Sequence, residues 1–113
     1  MKIPSEASLL RIFIGESDKV DGKPLCEVLV QEARRQGLAG ATVLRGFLGF
    51  GANSRIHTTK VLRLSEDLPV IVEIVDRKDR IEAFLPLLDK LIDEGLITLE
   101  DVRVIAYRHN SDR

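Results

Sequence analysis

The chain has one cysteine, Cys26, in 113 residues. One thiol cannot close an internal disulfide, so a disulfide framework is excluded and a reducing compartment fits. No apolar run approaches the roughly 18 residues of a membrane span. The opening Met1-Lys2-Ile3-Pro4-Ser5-Glu6 has no apolar stretch of the signal-peptide kind. A cytoplasmic protein without a membrane span is therefore expected. An excess of charge is also missing: 17 basic and 18 acidic residues leave a formal net charge of -1. Neutralising phosphates needs a basic excess or a basic face, which argues against nucleic acid as a main partner. A local basic pocket for a phosphorylated small molecule stays open. Catalytic signatures are missing too. There is no G-x-S-x-G, H-E-x-x-H, Walker A or complete Rossmann fingerprint, and no nucleophile stands near a base. The expectation is a protein that is not an enzyme.

What the sequence does contain is a well-patterned globular chain, 44% hydrophobic and 31% charged, long enough for a single domain over residues 1–113. Residues 8–14 are rich in β-branched and aromatic side chains and end at Gly15, so they read as a strand. A polar loop follows over 16–23. Pro24 suits a helix start, Leu25, Val28, Leu29 and Ala33 recur at helical spacing, and Gly37 is a C-terminal cap. Cys26 falls within this pattern and reads as a packed thiol rather than a nucleophile.

A second strand is expected over Ala41–Phe50, where Gly46 and Gly49 suggest a bulge or a close backbone approach. Residues 51–58 read as a loop, and Lys60–Leu64 and Pro69–Val75 as two further strands around a turn at 65–68. A second helix starts near an Asp76 N-cap and buries Ile81, Phe84, Leu85, Leu88, Leu91 and Ile92. Pro86 should kink or divide it. Gly95 closes it, and Val102–Tyr107 is the last strand. The order gives an α+β, ferredoxin-like split βαβ sandwich: an antiparallel sheet, two helices on one face and an extra hairpin strand. The third long strand has apolar residues on both sides, with Ile71 and Val75 flanking Glu73 opposite the Val70, Val72 and Ile74 face. An uncovered second face would be a large apolar patch, and self-association is the simplest cover.

Three stretches together resemble a known family. Leu44-Arg45-Gly46-Phe47-Leu48-Gly49-Phe50-Gly51 resembles the glycine-rich end of the second strand in PII signal-transduction proteins. Val70–Val75 resembles their third-strand core. Gly15-Glu16 and Gly22-Lys23-Pro24-Leu25 resemble the PII-like family called domain of unknown function 190, a likeness that covers nearly the whole chain. The resemblance implies a homotrimer with its sheets facing inward. It implies a small-molecule effector, such as an adenine nucleotide, in clefts between subunits, with no cofactor required. It also implies a mobile loop at about 51–60 that touches a regulated protein partner. The ligand-binding residues implied by it and by the loop's polar character are Arg45, Gly46, Gly49, Gly51, Arg55, His57 and Arg108.

The sequence departs from the PII pattern in several places. Ala106 and Ala52 stand where basic residues are expected, and the acidic stretch Gly95–Asp101 replaces a loop rich in glycine and lysine. That stretch would repel a triphosphate. Arg45 reads either as an anion contact or as an ion pair with a carboxylate such as Glu73. His57 reads as a ligand contact, a solvated residue or a metal ligand. Glu16, Asp18 and Asp21 read as a solvated or helix-capping loop, since they lack EF-hand spacing. An alternative with the same architecture is a metal-tolerance protein of the CutA type, which would use His57 or Cys26.

Overall fold

The computed structural model describes residues 5–51 and 67–109. Strand β1 (Glu6–Gly15) alternates buried and half-buried residues, with Leu10, Ile12 and Ile14 pointing to one side. A two-strand hairpin, β2 (Lys19–Val20) and β3 (Lys23–Pro24), stands where a plain polar loop was expected. Its turn is Asp21-Gly22, both at positive φ (49° and 79°), which suits the twist of a two-residue hairpin.

Helix α1 (Leu25–Arg35) begins directly after Pro24 and buries Leu25, Leu29 and Ala33 at intervals of one turn. It ends as Gly37 predicts. Gly37 takes φ 78° and donates its N–H to Arg34 O, while Leu38 N donates to Ala33 O, the paired bonds of a Schellman cap. Strand β4 (Thr42–Arg45) is shorter than the stretch 41–50 expected. The ladder stops because its partner residue is Pro69. Gly46 N donates to Pro69 O at 2.7 Å, and proline has no N–H with which to answer.

Strand β5 (Pro69–Asp76) contributes Val70, Val72 and Ile74 to the core. Helix α2 (Lys78–Leu91) contributes Ile81, Phe84 and Leu88 and runs through Pro86 without interruption. Pro86 and Glu82, whose carbonyl loses its helical donor, are both exposed, so water can take the place of the lost bond. Asp76 is not the N-cap residue. It is the last residue of β5, and Arg77 precedes the helix.

The last strand, β6 (Leu96–Arg103), starts six residues earlier than expected. The acidic pair Glu100-Asp101 suggested a loop, but the strand lies at a sheet edge, where charge is tolerated. The expected strand Lys60–Leu64 lies outside the described residues.

The four long strands pair antiparallel in the order β4-β5-β1-β6, and both helices pack on the face made by Leu10, Ile12, Ile14, Val70, Val72 and Ile74. This is the ferredoxin-like arrangement.

Candidate functional site

The register of the sheet defines the face that the helices leave uncovered. Directly opposed residues share a face. Leu44 opposes Ile71, Ile71 opposes Phe13, and Phe13 opposes Leu96, so one apolar row crosses all four strands. Its ends, Leu44 and Leu96, are exposed. The neighbouring row is polar: Thr42, Glu73, Arg11 and Thr98. Arg11 donates from Nε to Glu73 Oε2 at 2.8 Å and from Nη1 to Glu100 Oε1 at 2.6 Å. The hydrogen bond to Glu73 is the main reason its pKa is raised. Partial desolvation opposes this, and the charges of Glu100 and Glu73 add to it.

Arg45, at the end of β4, pairs with Glu16 and not with Glu73. Its Nη2 donates to Glu16 Oε1 at 3.0 Å, and its Nε meets Glu16 Oε2. The first loop is thus a structural device. Glu16 holds Arg45, the Asp18 carboxylate accepts from Gly15 N at 2.9 Å, and the Asp18 carbonyl accepts from Leu25 N at the start of α1.

Gly46 and Gly49 both lie against the Pro69 ring. A Cβ on Gly46 would stand 2.6 Å from Pro69 Cγ, and one on Gly49 would stand 3.0 Å from it. The close backbone approach that these glycines suggested is therefore to a proline of the neighbouring strand. Past Gly46 the chain presents Phe47 (82% exposed), Leu48 and Phe50 (78%) to solvent. A cleft of about 490 Å³ opens beside them, lined by Phe13, Gly15, Phe50, Gly51, Pro69 and Leu96 together with the acidic residues Asp18, Asp67 and Glu94. Asp67 is engaged through Oδ1 by the Ser17 N–H and hydroxyl.

The described candidate ligand residues do not all converge within one copy. Arg45 and Gly46 lie at the β5 end marked by Val70 and Pro69, beside Ile14 and Gly15. Arg108 follows the opposite end of β6, beyond Arg103, which opposes Glu6. The eight residue steps of β1 from Glu6 to Ile14 correspond to ~26 Å of strand. Near Arg108, the Tyr107 hydroxyl reaches the carbonyl of Ala39, which also belongs to that far end. Arg55 and His57 lie outside the described residues. The segment Gly95–Asp101, read as an acidic loop in place of a phosphate-binding one, is mostly strand β6, and its Glu100 is held by Arg11. Cys26 is half-buried against the core cluster.

Sequence reasoning did not single out Arg11. The signal was available, because a lone arginine alternates with Leu9 and Phe13 on the strand face opposite the core.

Comparison with known proteins places this geometry. The family model for DUF190, described as "Uncharacterized ACR", matches residues 7–104. The chain belongs to the DUF190 family. A relative from Aquifex aeolicus (strain VF5), called UPF0166 protein, is 45% identical over 97 residues, covering 86% of this chain and 91% of the relative.

Among solved structures, this DUF190 chain is similar to a Thermus thermophilus protein described as a PII-like signaling protein. The TM-score is 0.62 at 18% identity, covering 93% of this chain and 94% of that one. It is also similar to CPII from Thiomonas intermedia K12, a nitrogen regulatory PII-like protein bound to ADP, AMP and bicarbonate. There the TM-score is 0.56 at 15% identity, covering 91% and 97% of the two chains. These likenesses establish a PII-like, ferredoxin-like fold. Among the described residues no helix is long and apolar enough to cross a membrane.

Proposed function

We propose that this chain is a non-catalytic regulatory protein that assembles with copies of itself, as a trimer, through the open face of its sheet. In this reading it binds a small effector of the adenine-nucleotide class between subunits. The observation that carries it is the apolar row Leu44–Ile71–Phe13–Leu96, which runs the full width of the sheet on the face opposite the two described helices. A face of this kind is stabilised by burial against an equally apolar partner, and a second copy supplies one. Assembly also addresses the separation of the candidate ligand residues. Gly51 and Arg108 stand at opposite ends of one copy, so a site using both takes Arg108 from a neighbour. The segment between 51 and 60 then serves as the partner-contacting loop, with Arg55 and His57 within it.

Of the described residues that line the cleft beside Gly51, three are acidic: Asp18, Asp67 and Glu94. Electrostatics there oppose the accumulation of phosphate charge. The effector is therefore a nucleotide of low charge, and affinity falls from AMP to ADP to ATP. Isothermal titration calorimetry with the three nucleotides, on protein whose mass has been set by sedimentation velocity, tests both parts. Binding in that order by an oligomer agrees with the proposal. A monomer, or no heat from any of the nucleotides, refutes it.

The alternative with the same architecture and a metal role would use Cys26 or His57, and His57 lies outside the described residues. Cys26 packs on the core, and no three or more described His, Cys, Asp or Glu side chains are grouped to hold an ion.

A further inference from the structure

On the reading that open sheet faces meet in the assembly, we infer that the Arg11–Glu73–Glu100 cluster is the recognition element that fixes how one copy sits on the next. It does so through charge-assisted hydrogen bonds between the clusters of neighbouring copies.

The cluster lies on the open face, one row from the apolar band, and its members stay partly solvent-accessible: 35% for the Arg11 side chain, 28% for Glu73 and 54% for Glu100. Within the chain it is only partly used. Arg11 gives Nε to Glu73 Oε2 and Nη1 to Glu100 Oε1. Among the described residues no hydrogen bond engages Arg11 Nη2, Glu73 Oε1 or Glu100 Oε2. Each copy thus presents both a charged donor and charged acceptors on the same small patch. A closed ring of identical copies needs that combination, because every copy must give to one neighbour and accept from the other. The apolar row cannot supply such selection, since leucine, isoleucine and phenylalanine tolerate sliding. A sliding mode would lay apolar atoms over an ion cluster whose remaining donors and acceptors would lose water without replacement. The occupant that fits the patch is a second copy, because each patch carries both an arginine donor and carboxylate acceptors.

The test is native mass spectrometry and sedimentation velocity on the full chain and on the variants Arg11→Met and Glu100→Gln. Thermal melts confirm that each is folded. Glu100→Gln changes an exposed side chain at a sheet edge, so it remains informative even if Arg11→Met fails to fold. The expected result is a single oligomeric species for the unaltered chain. The folded variants should lose that species, either to a mixture of sizes or to dissociation at protein concentrations roughly tenfold higher. Folded variants that keep the original species, with dissociation unchanged within about twofold, would overturn the inference and leave the cluster a brace within one sheet. An unaltered chain that is monomeric would instead refute the assembly reading on which the inference rests.

Discussion

Asp76 offers the sharpest test of how this fold is held together. It is a carboxylate with no solvent exposure, at the junction of β5 and α2. One oxygen accepts from Ala39 N at 2.9 Å and the other from Arg77 N at 2.6 Å. Arg80 Nε stands 3.6 Å away, and the same guanidinium donates to the Gly37 carbonyl at 2.5 Å. One side chain thereby ties the connection between α1 and β4 to the first turn of α2. Asp76→Ala strands two backbone donors and removes the counter-charge of Arg80. Two stranded backbone donors, at about 1–3 kcal/mol each, put the loss at about 2–5 kcal/mol. Asp76→Asn keeps one acceptor but turns an amide N–H₂ towards a donor, so about 2 kcal/mol is expected, near the loss from one unsatisfied group. Arg80→Met leaves both backbone bonds to Asp76 intact and should cost less than Asp76→Ala. Urea unfolding followed by circular dichroism measures all three. The measurement should be made at several protein concentrations, because the proposed assembly would add a mass-action term to apparent stability. An Asp76→Ala variant within about 1 kcal/mol of the unaltered chain would refute the reasoning, because a net loss of that size matches one ordinary hydrogen bond.

Two further substitutions separate the glycines. Gly46→Ala sets a Cβ 2.6 Å from Pro69 Cγ and should cost about 1–3 kcal/mol by overpacking, whereas a Cβ on Gly51 would meet no described atom within 4 Å and Gly51→Ala should cost less than about 1 kcal/mol; thermal melts compare them. The Arg45–Glu16 pair is largely exposed, at 60% and 38%, so a double-mutant cycle on unfolding free energy should return a coupling of no more than about 1 kcal/mol.

Much of the fold was legible because its signals are local. The alternation in β1 and β5, the helical spacing of Leu25, Leu29 and Ala33, and Gly37 as a cap each belong to a few neighbouring residues. The errors arose where a partner strand decides. Nothing near Phe50 in sequence says that β4 ends at Arg45; that is set by Pro69, which lies across the sheet and lacks a donor. Glu100 and Asp101 look like loop residues until Arg11, 89 positions away from Glu100, is placed beside the first of them. Asp76 suits an N-cap by type. Its carboxylate instead serves Ala39, a residue whose proximity depends on how α1 packs against the sheet. The candidate site was less legible still, because its residues belong to separate ends of the sheet.

The glycine-rich strand end shows what such a motif can mean. A glycine is consistent with a bound ligand and equally with a protein neighbour that leaves no room for a side chain. Gly46 and Gly49 have that neighbour in Pro69, so packing is by itself a sufficient reason for their lack of a side chain. Arg45 has its carboxylate in Glu16. Three of the residues that suggested a ligand thus have a close neighbour within one copy. Gly51 is not crowded in this way, and it lines the cleft with Phe50, Asp18 and Glu94. On the proposed reading, the apolar and acidic character of that wall, more than the glycine pattern, sets which effector binds. A family member with the same glycines but basic residues at the positions of Asp18 and Glu94 would therefore be expected to prefer a more highly phosphorylated ligand.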